Sequence, residues 1–286
     1  PPPAGAGRTR HIDLGTGVVS LPYHHPLMTA QRIVLLDHLT RGRVKFGVGP
    51  GALPSDAFML GIDPADQRAR MEEALEVILR LLRTDEPVTH ESDWFTLRDA
   101  RLHLRPYTHP HPEVAVAAMI SPSGPRAAGR FGCSLLSIGA TQRTGIDMLG
   151  AAWEVMEERS AQFGHVADRR QWRLVTMMHL AETREQAYAD VEHGLADYAR
   201  YFREVAALPI FPDHPADQLA DQLNESGAAV LRTPEDAIAP GPHLGDERPV
   251  GVELDRLVGV ADRAPPVADQ IRRIVRLGND RVRRAR

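Results

Sequence analysis

Strand-like and helix-like segments alternate along this chain, and that alternation limits its fold more than any other feature. His11 to Ser20 (HIDLGTGVVS) is a short run bearing Val, Ile and Leu that ends at Leu21-Pro22, and it reads as a strand. Pro26 opens a segment with apolar residues at Leu27, Ala30, Ile33, Val34, Leu36 and Leu39, the spacing of a helix with one buried stripe, and Gly42 supplies its stop. Val44 to Gly49 (VKFGVG) is a second strand, closed by Pro50-Gly51. Two strands joined by a helix are expected to be parallel neighbours with a right-handed crossover.

Asp63-Pro64 then predicts a helix start, with Asp63 as N-cap and a buried stripe of Met71, Ala74, Leu75, Ile78, Leu81 and Leu82. From Val88 to Leu104 the period falls to two, as in a hairpin inserted between barrel units. The alternation resumes with strands at Glu113–Ile120, Ser134–Ile138, Arg173–Leu180 and Ala228–Leu231. Helices are expected at Gly124–Phe131, Ile146–Phe163 and Arg184–Val205, the last entered through Thr183, and another begins at Thr233-Pro234-Glu235. Such repetition points to a parallel sheet with helices outside it. Six strands of this kind are two short of a closed eight. After Ala239 the texture changes: prolines interrupt every candidate element, and the end is crowded with arginines from Arg272 to Arg286, which read as a solvated or disordered tail.

Composition removes several classes of function. A net charge of −4 argues against a nucleic-acid partner, which needs a concentrated positive surface. The single cysteine, Cys133, permits neither an internal disulfide nor a cysteine zinc site, and it favours a reducing, cytoplasmic compartment. There is no apolar run of about 20 residues that could span a membrane. The chain opens on Pro1-Pro2-Pro3 rather than methionine, which reads as a fragment, a processed form or a misread start. Lys45 is the only lysine among 34 basic residues, a sign of genomic base composition.

Few segments carry chemistry. Gly47-Val48-Gly49-Pro50-Gly51 lets a ligand approach the backbone, yet it is not G-x-G-x-x-G, and a tight strand-end turn explains it equally well. His24 and His25 could bind a metal or act as acid and base. Sequence neighbours point to different sides, however, so a polar surface loop is the competing reading. Ser121-Pro122-Ser123-Gly124-Pro125-Arg126 is a strand-to-helix turn whose hydroxyls and helix N–H groups could hold a phosphate; simple N-capping by Ser123 is the alternative. Glu72, Glu73 and Glu76 read as surface charges, and Arg68 is the helix residue best placed to reach a phosphate. No G-x-S-x-G, P-loop, H-E-x-x-H or C-x-x-C occurs.

The strings LGTGVVSLPYHHP, AQRIVLLDHLTRGRVKFGVGPGALPSDAFMLGID, DWFTLRDARLHLRPY, VAVAAMISPSGPRAAGRFG and TPEDAIA, in this order, resemble the bacterial-luciferase-like flavin monooxygenase family, and within it the limonene-monooxygenase-like branch. The resemblance covers residues 8–239, as one partial barrel domain, and stops before the Pro/Arg-rich 240–286, which look like the product of a shifted reading frame. It implies a TIM-type (β/α)8 barrel, here lacking its first two strands, with reduced FMN rather than FAD or deazaflavin at the C-terminal strand ends. The implied reaction inserts one oxygen atom from O2 into a small apolar substrate through a flavin C4a-peroxide. A flavin reductase supplies the reduced cofactor, and a homodimer is allowed. The resemblance places Thr16, Gly17 and Val18 under the flavin ring, and Met119, Ser121, Ser123 and Gly124, together with Arg68, at its phosphate. Pro50 stands where some relatives carry a phosphate-binding arginine. Catalytic side chains are expected on the missing second strand, so none is named. The competing readings are a deazaflavin-dependent hydride-transfer enzyme of the same fold and a non-catalytic barrel remnant with open sheet edges.

Overall fold

The computed structural model describes residues 2–139, 143–206 and 218–238. These fall into two compact units that interleave in sequence. One holds the described residues up to Leu136 together with Val155–Ala167, and the other holds Ser137–Glu154 and the described residues from Asp168 onward.

In the first unit a short helix α1 (Pro2–Arg8) precedes β1 (Leu14–Gly15), β2 (Val19–Ser20), α2 (Pro26–Thr40) and β3 (Val44–Gly49). After these come α3 (Pro54–Met59), α4 (Gln67–Arg83), a hairpin of β4 (Val88–Glu91) and β5 (Thr96–Ala100), then β6 (Glu113–Ala118), α5 (Ser123–Phe131) and β7 (Ser134–Ile138), whose last two residues belong to the second unit. The segment expected to be a single strand from His11 is two short pieces, both parallel to β3, which is also parallel to β6; β7 lies next to β6. Successive strand side chains point to opposite faces. On one face Val44, Phe46, Val48, Val114 and Val116 are buried. On the other, Lys45, Gly47 and Gly49 run beside Glu113, Ala115 and Ala117.

Helix α2 departs from its expected stripe. Leu39 is 55% exposed, while Asp37 and Thr40 are buried in its stead. The reason is hydrogen bonding. The Asp37 carboxylate accepts from the Thr108 N–H at 2.8 Å and the Thr108 hydroxyl at 2.7 Å, and the Thr40 hydroxyl donates to the Leu36 carbonyl at 2.8 Å. A buried polar group that is fully satisfied can take a core position. Arg41 and Gly42, with φ of 54° and 83°, then end the helix, and the Gly42 N–H donates to the Asp37 carbonyl.

Helix α4 buries the whole expected stripe but begins at Gln67 rather than Pro64. Asp63 instead closes a local turn by accepting from the Ala65 N–H at 2.8 Å. At the other end Arg105 donates to the carbonyls of Leu81, Leu82 and Thr84, which would otherwise lack partners. The three glutamates of α4 are ties rather than plain surface charges. Glu73 accepts from the Trp94 indole at 2.6 Å and from the His90 ring at 2.8 Å, which fixes the hairpin. Glu72 and Glu76 each reach Arg130 of α5 at 3.2 Å.

α6 (Arg143–Gln162) passes from the second unit into the first. The second unit also holds β8 (Arg173–Val175), β9 (Met177–Leu180), α7 (Arg184–Glu204), α8 (Leu219–Ser226), β10 (Ala229–Arg232) and α9 (Pro234–Ile238). The strand expected over Arg173–Leu180 is thus broken at Thr176, and only its second half pairs with β10, in parallel. Thr183 caps α7 as expected, accepting from the Gln186 N–H. Leu219, Leu223, Ala229 and Leu231 form a small core with Ala199. Asn224, 3% exposed, accepts from the Leu231 N–H at 2.8 Å and donates to its carbonyl at 3.1 Å, so α8 takes the place of a further strand there. Residues 239–286, which include the Pro/Arg-rich segment, lie outside the described residues.

Two outcomes follow from the packing of the first unit. Asp37→Ala leaves the Thr108 donors unpaired in a buried place, and urea unfolding is expected to show a loss of about 2–4 kcal/mol. Burial pushes the Cys133 thiol up to about 12. Native protein at pH 8 therefore stays unmodified by a thiol reagent until it unfolds, and stoichiometric labelling of the folded chain would contradict this.

Candidate functional site

Because β1, β2, β3 and β6 are parallel, their C-terminal ends share one edge, and in a parallel barrel sheet this is where ligands bind. The register along β3 shows how the edge is shaped. Leu14 pairs with Val44 and Val19 with Val48, so five steps on one strand oppose four on the other, and the extra residue is a bulge at Thr16–Val18. The Gly17–Val18 peptide is cis. Thr16 fixes the bulge, its N–H donating to the Lys45 carbonyl at 3.1 Å and its hydroxyl to the Gly47 carbonyl at 2.8 Å. The Thr16 hydroxyl is therefore committed to the backbone.

The bulge lies so close to β3 that only glycine fits beneath it. A Cβ on Gly47 would collide with the Thr16 carbonyl oxygen, and one on Gly49 would sit 2.9 Å from Val18 Cγ2. Above the bulge the space is open, since a Cβ on Gly17 would meet nothing within 4 Å. Ala115 and Ala117 lie alongside these glycines on β6, so the surface that meets open space is the bulge itself at Gly17. At the N-terminal end of β3 Lys45 pairs with Glu113 at 3.2 Å and Asp13 at 3.6 Å.

The turn after β6 carries the other group of expected ligand residues. Ser121 and Ser123 hydroxyls are 3.0 Å apart, and the Ser121 oxygen accepts from the Ser123 N–H at 3.3 Å. Ser123 is the first residue of α5 rather than its cap, and the first turn of α5 carries no acid. Gly124 is buried against β6, where a Cβ would lie 2.6 Å from the Ala117 carbonyl oxygen. Glycine here brings the start of α5 down onto the strand end. The two hydroxyls, the Gly124 N–H and the exposed Arg126 suit an anion such as a phosphate, whereas Pro125 has no N–H and that of Arg126 donates to the Pro122 carbonyl.

Arg68 is exposed in the first turn of α4. Its neighbour Gln67 is buried and donates from Nε2 to the Tyr23 hydroxyl at 2.6 Å. Both groups lie against Gly51, whose φ of 91° and crowded surroundings exclude a side chain. Tyr23 belongs to a 3-10 turn at Leu21–Tyr23, just after β2. Sequence reasoning passed over this pair, although a glycine at 51 following a strand was a signal that something closes over it. The histidine pair does not converge. His24 is exposed at the surface, and partial desolvation of its ring together with Arg32 lowers its pKa from the usual imidazole value. His25 precedes α2 and sets its ring edge-on to Phe95, 5.9 Å away. No cluster of three metal-ligating side chains occurs among the described residues. The same edge is rimmed by apolar side chains left in water: Phe58 (85% exposed), Met59, Leu60, Met119 and Ile120.

The second unit has a cavity of its own, of about 480 Å3, lined by Met177, Met178, Leu195 and Tyr198 among others. His179 donates to Asp190 there at 2.9 Å, and this bond and one from Gln186 hold the carboxyl below its ordinary range. This cavity is lined by none of Arg68, Ser121, Ser123 and Gly124.

The sequence matches the family described as luciferase-like monooxygenase over residues 4–281. That span runs well beyond residue 239, where the recognisable motifs end. The chain is 51% identical over 236 residues to limonene 1,2-monooxygenase of Rhodococcus erythropolis, covering 82% of this chain and 60% of that protein. It is 51% identical over 222 residues to 4-hydroxyprotoasukamycin monooxygenase of Streptomyces nodosus subsp. asukaensis, covering 77% and 59%. The chain thus spans about three-fifths of the length of these curated relatives. Its fold is similar to the oxygenating constituent of 3,6-diketocamphane monooxygenase from Pseudomonas putida, solved with FMN. The TM-score is 0.63 at 23% identity, over 82% of this chain and 69% of that one.

The glycine contacts rank two substitutions. Gly47→Ala drives a methyl into the backbone of the bulge and is expected to cost about 1–3 kcal/mol and to weaken flavin binding. Gly49→Ala meets only a valine methyl and is the milder change. Equal effects of the two on melting temperature and flavin affinity would refute the ranking.

Proposed function

The chain belongs to the luciferase-like monooxygenase family, and from that premise we propose that it forms the flavin-binding barrel of a monooxygenase. The reaction inserts one atom of O2 into a small apolar organic substrate. The observation that carries this reading is the open space above the Thr16–Val18 bulge at the C-terminal strand edge, where a Cβ on Gly17 would meet nothing within 4 Å. A TIM barrel normally fills its interior with Val, Ile and Leu; here Gly47 and Gly49 let the bulge sink onto β3, and the bare Gly17 on top of it leaves room for a flat ring.

Reduced FMN is the cofactor this reading takes, ahead of FAD or deazaflavin. When bound, it supplies the electrons that activate O2. The chain's own residues bind and orient. The Thr16–Val18 bulge, held rigid by the Gly47 carbonyl, supports one face of the ring. Ser121, Ser123, the N–H of Gly124 and Arg68 would hold the phosphate, with Met119 beside them. The apolar rim of Phe58, Met59, Leu60 and Ile120 favours an apolar substrate and excludes water, which limits wasteful release of hydrogen peroxide. No acid or base for the oxygen-transfer step is assigned to these residues.

A separate flavin reductase as source of the reduced cofactor, a homodimer and a cytoplasmic location go with this proposal, as does the reading of residues 8–239 as one barrel domain. No helix of the described residues is long and apolar enough to cross a membrane. Oxidised FMN should raise the melting temperature of the chain in a concentration-dependent way, by mass action on the folded state. A folded sample that binds no flavin would reject the proposal, and preference for reduced deazaflavin with no oxygen consumption would replace it with hydride transfer. The double change Ser121→Ala with Ser123→Ala should weaken FMN binding by about tenfold and leave riboflavin, which lacks the phosphate, unaffected.

A further inference from the structure

We propose that the Tyr23 hydroxyl is a hydrogen-bond donor to the neutral oxygen of an apolar substrate or of its oxygenated product. The inference deepens the monooxygenase reading and rests on it. It begins with the direction of one hydrogen bond. Gln67, 8% exposed, spends an amide hydrogen on the Tyr23 oxygen at 2.6 Å, so that oxygen is already an acceptor. A phenol that accepts in this way has one hydrogen left to give. Among the described residues no acceptor takes it. Gly51 opens the room in which this pair meets, since any side chain there would displace the Tyr23 hydroxyl and the Gln67 amide together.

Position and charge identify the acceptor. Tyr23 stands at the end of β2, one short turn past the Thr16–Val18 bulge, on the edge where β3 also ends. Burial, and after it the charge of the Asp56 carboxylate, raises the pKa of the Tyr23 hydroxyl above the ordinary phenol value. The phenol therefore stays protonated, and a second anion beside Asp56 would be repelled. A phosphate is thus disfavoured at this spot. Phe58, Met59 and Leu60, on and just after the short helix that carries Asp56, offer apolar contact instead. A ketone, alcohol or epoxide oxygen on a hydrocarbon frame meets both conditions. Tyr23 would orient the substrate by its oxygen and would distinguish oxygenated from plain hydrocarbon ligands.

The test uses the full chain with oxidised FMN bound and two probes of nearly equal size, cyclohexanone and cyclohexene, with dissociation constants measured by NMR titration. The native chain is expected to bind the ketone about three- to tenfold more tightly than the alkene, the value of one neutral hydrogen bond. Tyr23→Phe should bring the ratio close to one with FMN affinity unchanged and a lower melting temperature, because the buried Gln67 amide loses its acceptor. Gln67→Glu should do the same with Tyr23 in place, because a carboxylate accepts the phenol hydrogen and withdraws it from the mouth. No ketone preference in the native chain overturns the proposal, as does a Tyr23→Phe chain that keeps the full ratio. Loss of FMN affinity in Tyr23→Phe with the ratio intact also overturns it, by assigning Tyr23 to the cofactor phosphate. If the native chain binds no FMN, the functional reading fails instead, and the same ratio measured on flavin-free chain still decides the role of Tyr23.

Discussion

The candidate site depends on one close approach: the bulged segment Thr16–Val18 lying directly on β3. Gly47 and Gly49 make it sterically possible, and the Thr16 hydroxyl on the Gly47 carbonyl holds it in register. The extra residue in the bulge turns the end of that strand away from a regular ladder and delivers the chain into the 3-10 turn that carries Tyr23. The same economy recurs at the neighbouring strand ends. Gly51 admits Tyr23 and Gln67 over β3, and Gly124 brings the start of α5 onto β6. Three glycine-mediated contacts thus shape consecutive strand ends that would be blunt in a barrel of larger residues.

The elements around the edge are held by polar ties rather than by hydrophobic packing alone. Asp37 and Thr108 fasten the segment before β6 to α2, and Arg105 in that segment closes the C-terminal end of α4. Glu73 clamps the hairpin through Trp94 and His90, and His90 stacks on Phe95 at 5.1 Å. Phe95 in turn meets His25 at the start of α2. An inserted hairpin thereby reaches the loop that borders the site. Each tie spans residues distant in sequence, so its loss would be felt as a shift in the rim as well as in stability.

The sequence made the order of strands and helices legible because hydrophobic period and breakers are local properties. Met71, Ala74, Leu75, Ile78, Leu81 and Leu82 are all buried as their spacing requires. It failed where a long-range partner changes the value of a polar residue. Asp37 looks like a solvent residue until Thr108 arrives from 71 positions away, and Glu73 looks like surface until the hairpin folds back on it. The motifs also located the glycine-rich turn and the Ser121–Gly124 turn. They could not pair Tyr23 with Gln67, because nothing in either residue announces a partner 44 positions along the chain.

The glycines beneath the bulge have an energetic consequence. On its helix-facing side β3 presents Val44, Phe46 and Val48, all nearly fully buried, whereas its other side offers glycine and, farther down, the Lys45 pairs with Glu113 and Asp13. Glycines bury little apolar area and lose the most backbone entropy on folding. The interior face is therefore the weakly stabilised one, and the helix-facing core bears the stability of the first unit. A planar ligand laid over Gly17 of the bulge would add contact area in the folded state alone. Ligand affinity and fold stability are coupled through the same few glycines, so a substitution that fills the space under the bulge lowers both.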